Sequence, residues 1–216
     1  RDVLGLSVSR GHLNNVLQKV SGALAEPYDE LLALLGSEPL LNIDETGHKE
    51  NKKLLWTWCF RAQDYALFKI DFSRGSQVLV DVLGEQFAGV LGCDYFSAYR
   101  KFMKDCDIRV QFCLAHLIRD LKYLTTLPNK ETAAYGQRLL DEMRTLFHTI
   151  HQREKMGKNA FGKALHDQRQ RIIDIAIRGA PDTRQVQNMV KRFNKHGAAY
   201  FEFITTPGIE PTNNLA

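Results

Sequence analysis

Apolar positions in the first 38 residues recur every three or four places, the spacing of a helical face. Leu13, Val16, Leu17, Val20 and Leu24 follow Ser9, which is suited to cap a helix start. Leu31, Leu32, Leu34 and Leu35 follow Pro27, and Gly36 and Pro39 close that second segment. From Leu40 the period shortens. Leu40–Asp44 reads as a buried strand that ends on a carboxylate. The aromatic and β-branched runs Leu54–Arg61 and Tyr65–Phe72, parted by Ala62-Gln63-Asp64, complete a three-strand antiparallel meander. Val78, Leu79, Val82 and Leu83 mark one face of a helix with Gly84 near its end. Gly89–Asp94, short and apolar, reads as a central strand. The helix before it is the connection that a parallel pairing with Leu40–Asp44 requires, and that pairing brings Asp44 and Asp94 side by side.

Tyr95–Met103 reads as a short helix, Ile108–Cys113 as a fifth strand, and Leu114–Leu127 as a helix closed by Pro128. The order β-β-β-α-β-α-β-α is that of a ribonuclease H-like fold, an α/β architecture with a mixed five-stranded sheet and flanking helices. Residues 129–204 break the pattern. Glu131–Glu154, Asn159–Arg178 and Gln185–Phe203 carry helical spacing with no convincing strand, which predicts an all-α insertion before the fold's last helix. The chain thus divides into a helical N-terminal segment (1–38), a ribonuclease H-like core (39–128), a basic helical insertion (129–204) and the start of the final core helix (205–216).

Charge sharpens this division. The net charge of +4 hides an asymmetry: residues 1–94 hold 9 Lys/Arg against 13 Asp/Glu, whereas residues 95–216 hold 20 against 12. The C-terminal half suits a polyanion and the N-terminal half acidic chemistry, although a solvated basic helical face accounts for the charge equally well. Lys158, Lys163, Arg169, Arg171, Lys191 and Arg192 are candidates for salt-sensitive contacts to a DNA backbone, without base-reading specificity. No run of about 18 apolar residues and no charged-then-apolar leader is visible, so the expectation is a soluble, cytoplasmic protein. Cys59, Cys93, Cys106 and Cys113 are irregularly spaced and read as free thiols.

Asp44 and Asp94 are the leading chemical candidates, because carboxylates on adjacent strands can share divalent cations for phosphoryl transfer. Glu45 must point to the opposite face of its strand, which suggests a structural hydrogen bond rather than a metal bond. Cys113-Leu114-Ala115-His116 lacks a matching second pair and does not make a zinc site. His116 and Arg119, one turn apart at a helix start, are placed to touch a phosphate, with a structural histidine the equal alternative. Arg74, in Ser73-Arg74-Gly75-Ser76, is a further phosphate candidate in what is also an ordinary turn. Trp56 and Trp58 share a strand face and read as core.

Five stretches in order carry a resemblance: Asp-Glu-Thr-Gly, Phe-Ser-Arg-Gly, Gly-Val-Leu-Gly-Cys-Asp-Tyr-Phe-Ser-Ala-Tyr, Cys-Leu-Ala-His-Leu-Ile-Arg-Asp and Pro-Thr-Asn-Asn-Leu-Ala. Together they resemble the transposase of the insertion sequence 66 family of bacteria, a DDE transposase with a ribonuclease H-like catalytic core. The resemblance covers about residues 40–128 and 205–216. It implies that Asp44 and Asp94 are the first two catalytic aspartates, binding Mg²⁺ or Mn²⁺ for DNA nicking and strand transfer. It also implies that the partners are transposon-end and target DNA, with a multimer on paired ends and association with the nucleoid when DNA is bound. The family's catalytic glutamate directly follows the Asn-Asn-x-Ala pattern, so it is expected just after Ala216. Glu210 is the nearest carboxylate within the chain, on the other side of that motif. The family's upstream zinc-binding and helix-turn-helix segments are likewise expected to be missing. Rival readings are a ribonuclease H-like nuclease and a catalytically inactive DNA-binding or assembly fragment.

Overall fold

The computed structural model describes residues 8–213. β1 (Leu40–Glu50), β2 (Lys53–Arg61) and β3 (Ala66–Asp71) form the antiparallel meander. β1 and β2 pair without a break from Asn42↔Arg61 to Glu50↔Lys53. Their connection, Asn51-Lys52, has φ of 49° and 67°. Two successive left-handed residues are the signature of a hairpin turn whose twist matches its strands. Asp44, expected at a strand's end, therefore lies inside an 11-residue strand. The polar run Glu45–Glu50 conceals its second half, because those residues are held by pairing to β2 rather than by burying side chains.

α3 (Gln77–Leu83) returns the chain so that β4 (Val90–Cys93) lies parallel to β1, through the pairs Leu40↔Val90, Leu41↔Leu91 and Asn42↔Gly92. α4 (Ser97–Asp105) then leads to β5 (Arg109–Phe112), parallel to β4, and α5 (Leu114–Thr125) follows. The resulting sheet order β3-β2-β1-β4-β5, a meander extended by two parallel strands that each follow a helix, is a ribonuclease H-like fold. Alternation places Leu41, Ile43, Trp58, Phe60, Leu91 and Cys93 on one face, where they are fully buried in a core with Leu79, Tyr99 and Phe102. Trp58 keeps its indole N–H satisfied by donating to the Ser73 carbonyl at 3.1 Å.

At the N-terminal end, α1 (Arg10–Ala23) is capped by Ser9, whose Oγ accepts the His12 N–H at 3.1 Å, and α2 (Ala25–Leu34) follows. α2 is tied to the sheet by Tyr28, whose hydroxyl donates to the Phe68 carbonyl at 3.2 Å. Among the described residues nothing covers the apolar stripe of α1: Leu13, Val16, Leu17, Val20 and Leu24 are 41–61% exposed. Helical spacing predicts a helix that needs a partner, not which partner it finds.

α6 (Lys130–His151), α7 (Lys158–Ile177) and α8 (Arg184–His196) fill the basic region, with no strand among them. α6 crosses α5 at Gly136, where a Cβ would stand 2.9 Å from Leu124 Cβ and 3.1 Å from the Leu121 carbonyl oxygen, so any larger residue would push the helices apart. α8 stops at His196, short of the predicted Phe203. The chain continues as a 3₁₀ turn, Gly197–Tyr200, and a four-residue helix α9 (Glu202–Thr205). Residues 206–213 form no helix, and the rest of the predicted final helix, 214–216, falls outside the described residues. Among the described residues no helix is long and apolar enough to cross a membrane. All four thiols are free.

Candidate active site

The last parallel pair between β1 and β4 is Asn42↔Gly92, and Asp44 and Asp94 each stand two residues beyond it. Equal offset in a two-residue period directs both carboxylates to the face that Asn42 occupies. Gly92 makes room for that face: a Cβ there would lie 2.3 Å from Asn42 Oδ1. Asp44 Oδ1 accepts the N–H of Glu45 at 3.0 Å, and Asp94 Oδ1 accepts the N–H of Phe96 at 2.8 Å, an Asx turn that leads into α4. Oδ2 of each remains without a hydrogen bond, and neither carboxylate has an ion-pair partner, among the described residues. Two half-buried carboxylates, each with one oxygen free of hydrogen bonds and no ion-pair partner among the described residues, form a donor set suited to a hard divalent cation. The set is not complete, since no group of three or more His, Cys, Asp or Glu side chains is placed to hold a metal among the described residues.

Glu45 points the other way, as its position in the strand requires. Its side chain is fully buried and takes Arg74 Nε at 2.8 Å and Arg74 Nη2 at 2.7 Å, together with the hydroxyl of Tyr99. Burial raises the Glu45 pKa; the bonds from Tyr99 and Arg74 oppose the rise, and the negative charge of Asp94 adds to it. Arg74 also lies over the rings of Phe96, at 3.7 Å, and Trp56, at 4.5 Å. The guanidinium expected in a phosphate-holding turn is thus engaged by a carboxylate behind the sheet, where it fastens the Asp94–Phe96 turn. Tyr99 escaped sequence reasoning. The available signal was its place in the Tyr-Phe-Ser-Ala-Tyr stretch after Asp94, although nothing local names its partner.

Cys113 caps the start of α5, with His116 in the first turn. Burial pushes the Cys113 thiol up, but the neighbouring His116 and the Asn213 N–H at 3.4 Å outweigh it and bring it below its ordinary value. Proximity to Cys113 raises the pKa of His116 against the effect of burial, with a further rise from the charge of Asp94. Arg119 is exposed one turn on, close enough to oppose that rise. Asn213, from the last motif, is buried; its Nδ2 donates to the carbonyl of Ile43 at 3.1 Å, one residue before Asp44. Pro211 accepts the N–H of Leu114 at 2.9 Å. Pro211 and Asn213 are therefore pinned between β1 and the start of α5. Glu210 is exposed on the wall of a cavity of about 630 Å³ beside α6 and α7, and does not join Asp44 and Asp94 in a three-carboxylate group.

The basic candidates separate. Lys158, Lys163, Arg169 and Arg171 lie on α7, with Lys158 lining the same cavity as Glu210 and Lys163 paired to Asp167 at 3.5 Å. Lys191 and Arg192 lie on α8 and line a different cavity, next to Tyr95.

The ribonuclease H-like sheet thus carries two aspartates in register on adjacent parallel strands. The chain belongs to the transposase IS66 family, whose model matches residues 1–216. Among solved structures it is similar to a chain in the intasome of simian T-cell lymphotropic virus in complex with a PP2A regulatory subunit, at 14% identity and a TM-score of 0.29, covering 68% of this chain and 51% of that one. It is also similar to the HTLV-2 integrase catalytic core domain in complex with magnesium, at 10% identity and a TM-score of 0.27, covering 71% of this chain and 97% of that one. The chain thus spans about half the length of the first of these. No curated protein matches it significantly.

Proposed function

We propose that this chain is the catalytic core of a DDE transposase that nicks DNA and transfers the freed strand, with Asp44 and Asp94 holding Mg²⁺ or Mn²⁺. One observation carries the reading: the two aspartates stand at equal offset beyond the β1–β4 register, each with one oxygen fixed by a backbone N–H and the other without a partner among the described residues. A divalent cation, when bound, supplies Lewis acidity that activates an attacking water or 3′-hydroxyl and offsets charge on the leaving oxygen. Asp44 and Asp94 orient it from a rigid sheet. His116, favoured as the imidazolium by Cys113, and Arg119 offer positive charge to the phosphate. Arg74 and Glu45 set the position of the Asp94 turn from behind.

In this reading residues 39–128 and 205–216 form the catalytic unit, and 129–204 form a basic arm that contacts DNA through Lys158, Lys163, Arg169, Arg171, Lys191 and Arg192. The partners are transposon-end and target DNA, held by a multimer, in the cytoplasm. Calorimetric titration with Mn²⁺ tests the core of the proposal. The wild-type chain should bind the ion, and Asp94→Ala should lose at least tenfold in affinity while remaining folded by circular dichroism. Equal binding by the two proteins would remove the metal site from the reading.

A further inference from the structure

Beside Asp94, a cavity of about 460 Å³ opens between α4, the later turns of α5 and α8. Tyr95 lines it, and two guanidinium groups lie against that one ring, Arg192 at 4.0 Å and Arg100 at 4.5 Å from its centroid. Arg192 is held on three sides. Its Nε donates to the Tyr200 hydroxyl, its Nη1 donates to Asp120 Oδ2 at 2.6 Å, and its plane rests on Tyr95. The side chain is 10% exposed, yet Nη2 has no hydrogen-bond partner among the described residues. Arg100 Nε is likewise buried and without a partner. Leaving a buried donor unsatisfied is costly, and more so when the group is charged. Both atoms are buried, and two guanidinium groups stacked on one ring concentrate positive charge at the cavity wall that their residues line.

The surroundings specify what that charge attracts. Lys191 and Lys195 also line the cavity, and its one carboxylate, Asp120, is already bonded to Arg192. His196 packs edge-on against Tyr95 at 5.8 Å; burial lowers its pKa, and Lys195 and Arg100 lower it further, as a positive field must. Four cations against one engaged carboxylate call for an anion with several acceptor oxygens, which matches a phosphate. At the rim, Tyr123 is 59% exposed and offers a ring to an adjoining base. A duplex displays its phosphates on convex ridges that do not enter a cavity. A single strand can turn one phosphate inward and stack its base on an aromatic ring.

We propose that this cavity is a subsite for one phosphodiester of a single DNA strand, with Arg100 and Arg192 as its donors and Tyr123 as its stacking platform. The assignment rests on reading the chain as a DNA-processing core, but not on the metal chemistry of Asp44 and Asp94.

Fluorescence anisotropy with a short labelled oligothymidine and a matching duplex tests it. Arg100→Gln and Tyr123→Ala should each weaken oligothymidine binding about tenfold, and more than they weaken duplex binding. Inorganic phosphate should displace oligothymidine from the wild-type chain and do so less readily from Arg100→Gln. Tyr123 is exposed, so its variant stays folded even if Arg100→Gln is destabilised. Wild-type affinity in Tyr123→Ala and in a folded Arg100→Gln overturns the proposal, as does failure of the wild-type chain to bind oligothymidine. Phosphate bound without preference for the strand assigns the cavity to a free anion and overturns the strand assignment. Asp94→Ala separates the two readings: loss of Mn²⁺ binding with oligothymidine retained supports both, whereas unchanged Mn²⁺ binding removes the metal site and leaves the subsite standing.

Discussion

Cys113 and His116 behave as one group. The thiol stands below its ordinary value and the imidazole above its ordinary 6.5, because each charged form is favoured by the proximity of the other group. The sign follows for stability. A histidine whose folded pKa exceeds its unfolded one contributes stability fully below the unfolded value, and that stability is lost as pH rises through the folded value. Cys113→Ala should therefore lower the His116 midpoint in an NMR titration. It should also cost stability in two windows, below about pH 6.5, where the raised His116 contributes, and above the ordinary thiol value, where the lowered Cys113 contributes, measured by urea unfolding at a series of pH values. A midpoint unmoved by the substitution would separate the two residues. At this scale the sequence was legible in direction but not in partnership. The two-residue period of β1 put Glu45 opposite Asp44, whereas the engagement of Arg74 by Glu45 spans 29 residues and leaves no local trace.

Among the elements, β1 and β4 decide where the chemistry stands. Their contact is close at Gly92, which faces the side chain of the buried Asn42. Gly92→Ala should cost about 1–3 kcal/mol in urea unfolding through overpacking against Asn42. Adding Asn42→Ala should recover part of that loss, because the two changes share one space and are not additive. If the double variant is no more stable than the sum of its parts, the clash lies elsewhere. The strands that bury side chains were readable from their apolar runs, as were most helices from their three-to-four spacing. The polar half of β1 was not, since backbone pairing to β2 holds it. The end of α8 was missed for the complementary reason: Ala199, Tyr200 and Phe201 continue the apolar pattern, but they pack as a 3₁₀ turn and its flank against β5 rather than as helix.

For the molecule as a whole, the asymmetry of charge is the feature that bears on DNA. Binding through Lys and Arg releases counterions, so duplex affinity should fall steeply with salt. Replacing Lys158 and Arg171 together by Ala should lower the slope of log Kd against log salt by about 2 if both meet phosphates, and not at all if α7 is only a solvated face. Anisotropy over a salt series reads the difference. By itself, the sequence determined the order of strands and helices and the alignment of Asp44 with Asp94. Both follow from short-range periodicity and from the helical connection that parallel strands need. It also determined that the last motif belonged with the site, through resemblance. Only the tertiary structure decided what each polar group meets: Asn213 reaches Ile43 across 170 residues, and Arg100 and Arg192 converge on Tyr95 from different helices. Periodicity is a property of neighbours along the chain. A charge finds its partner through packing, which no stretch of sequence contains.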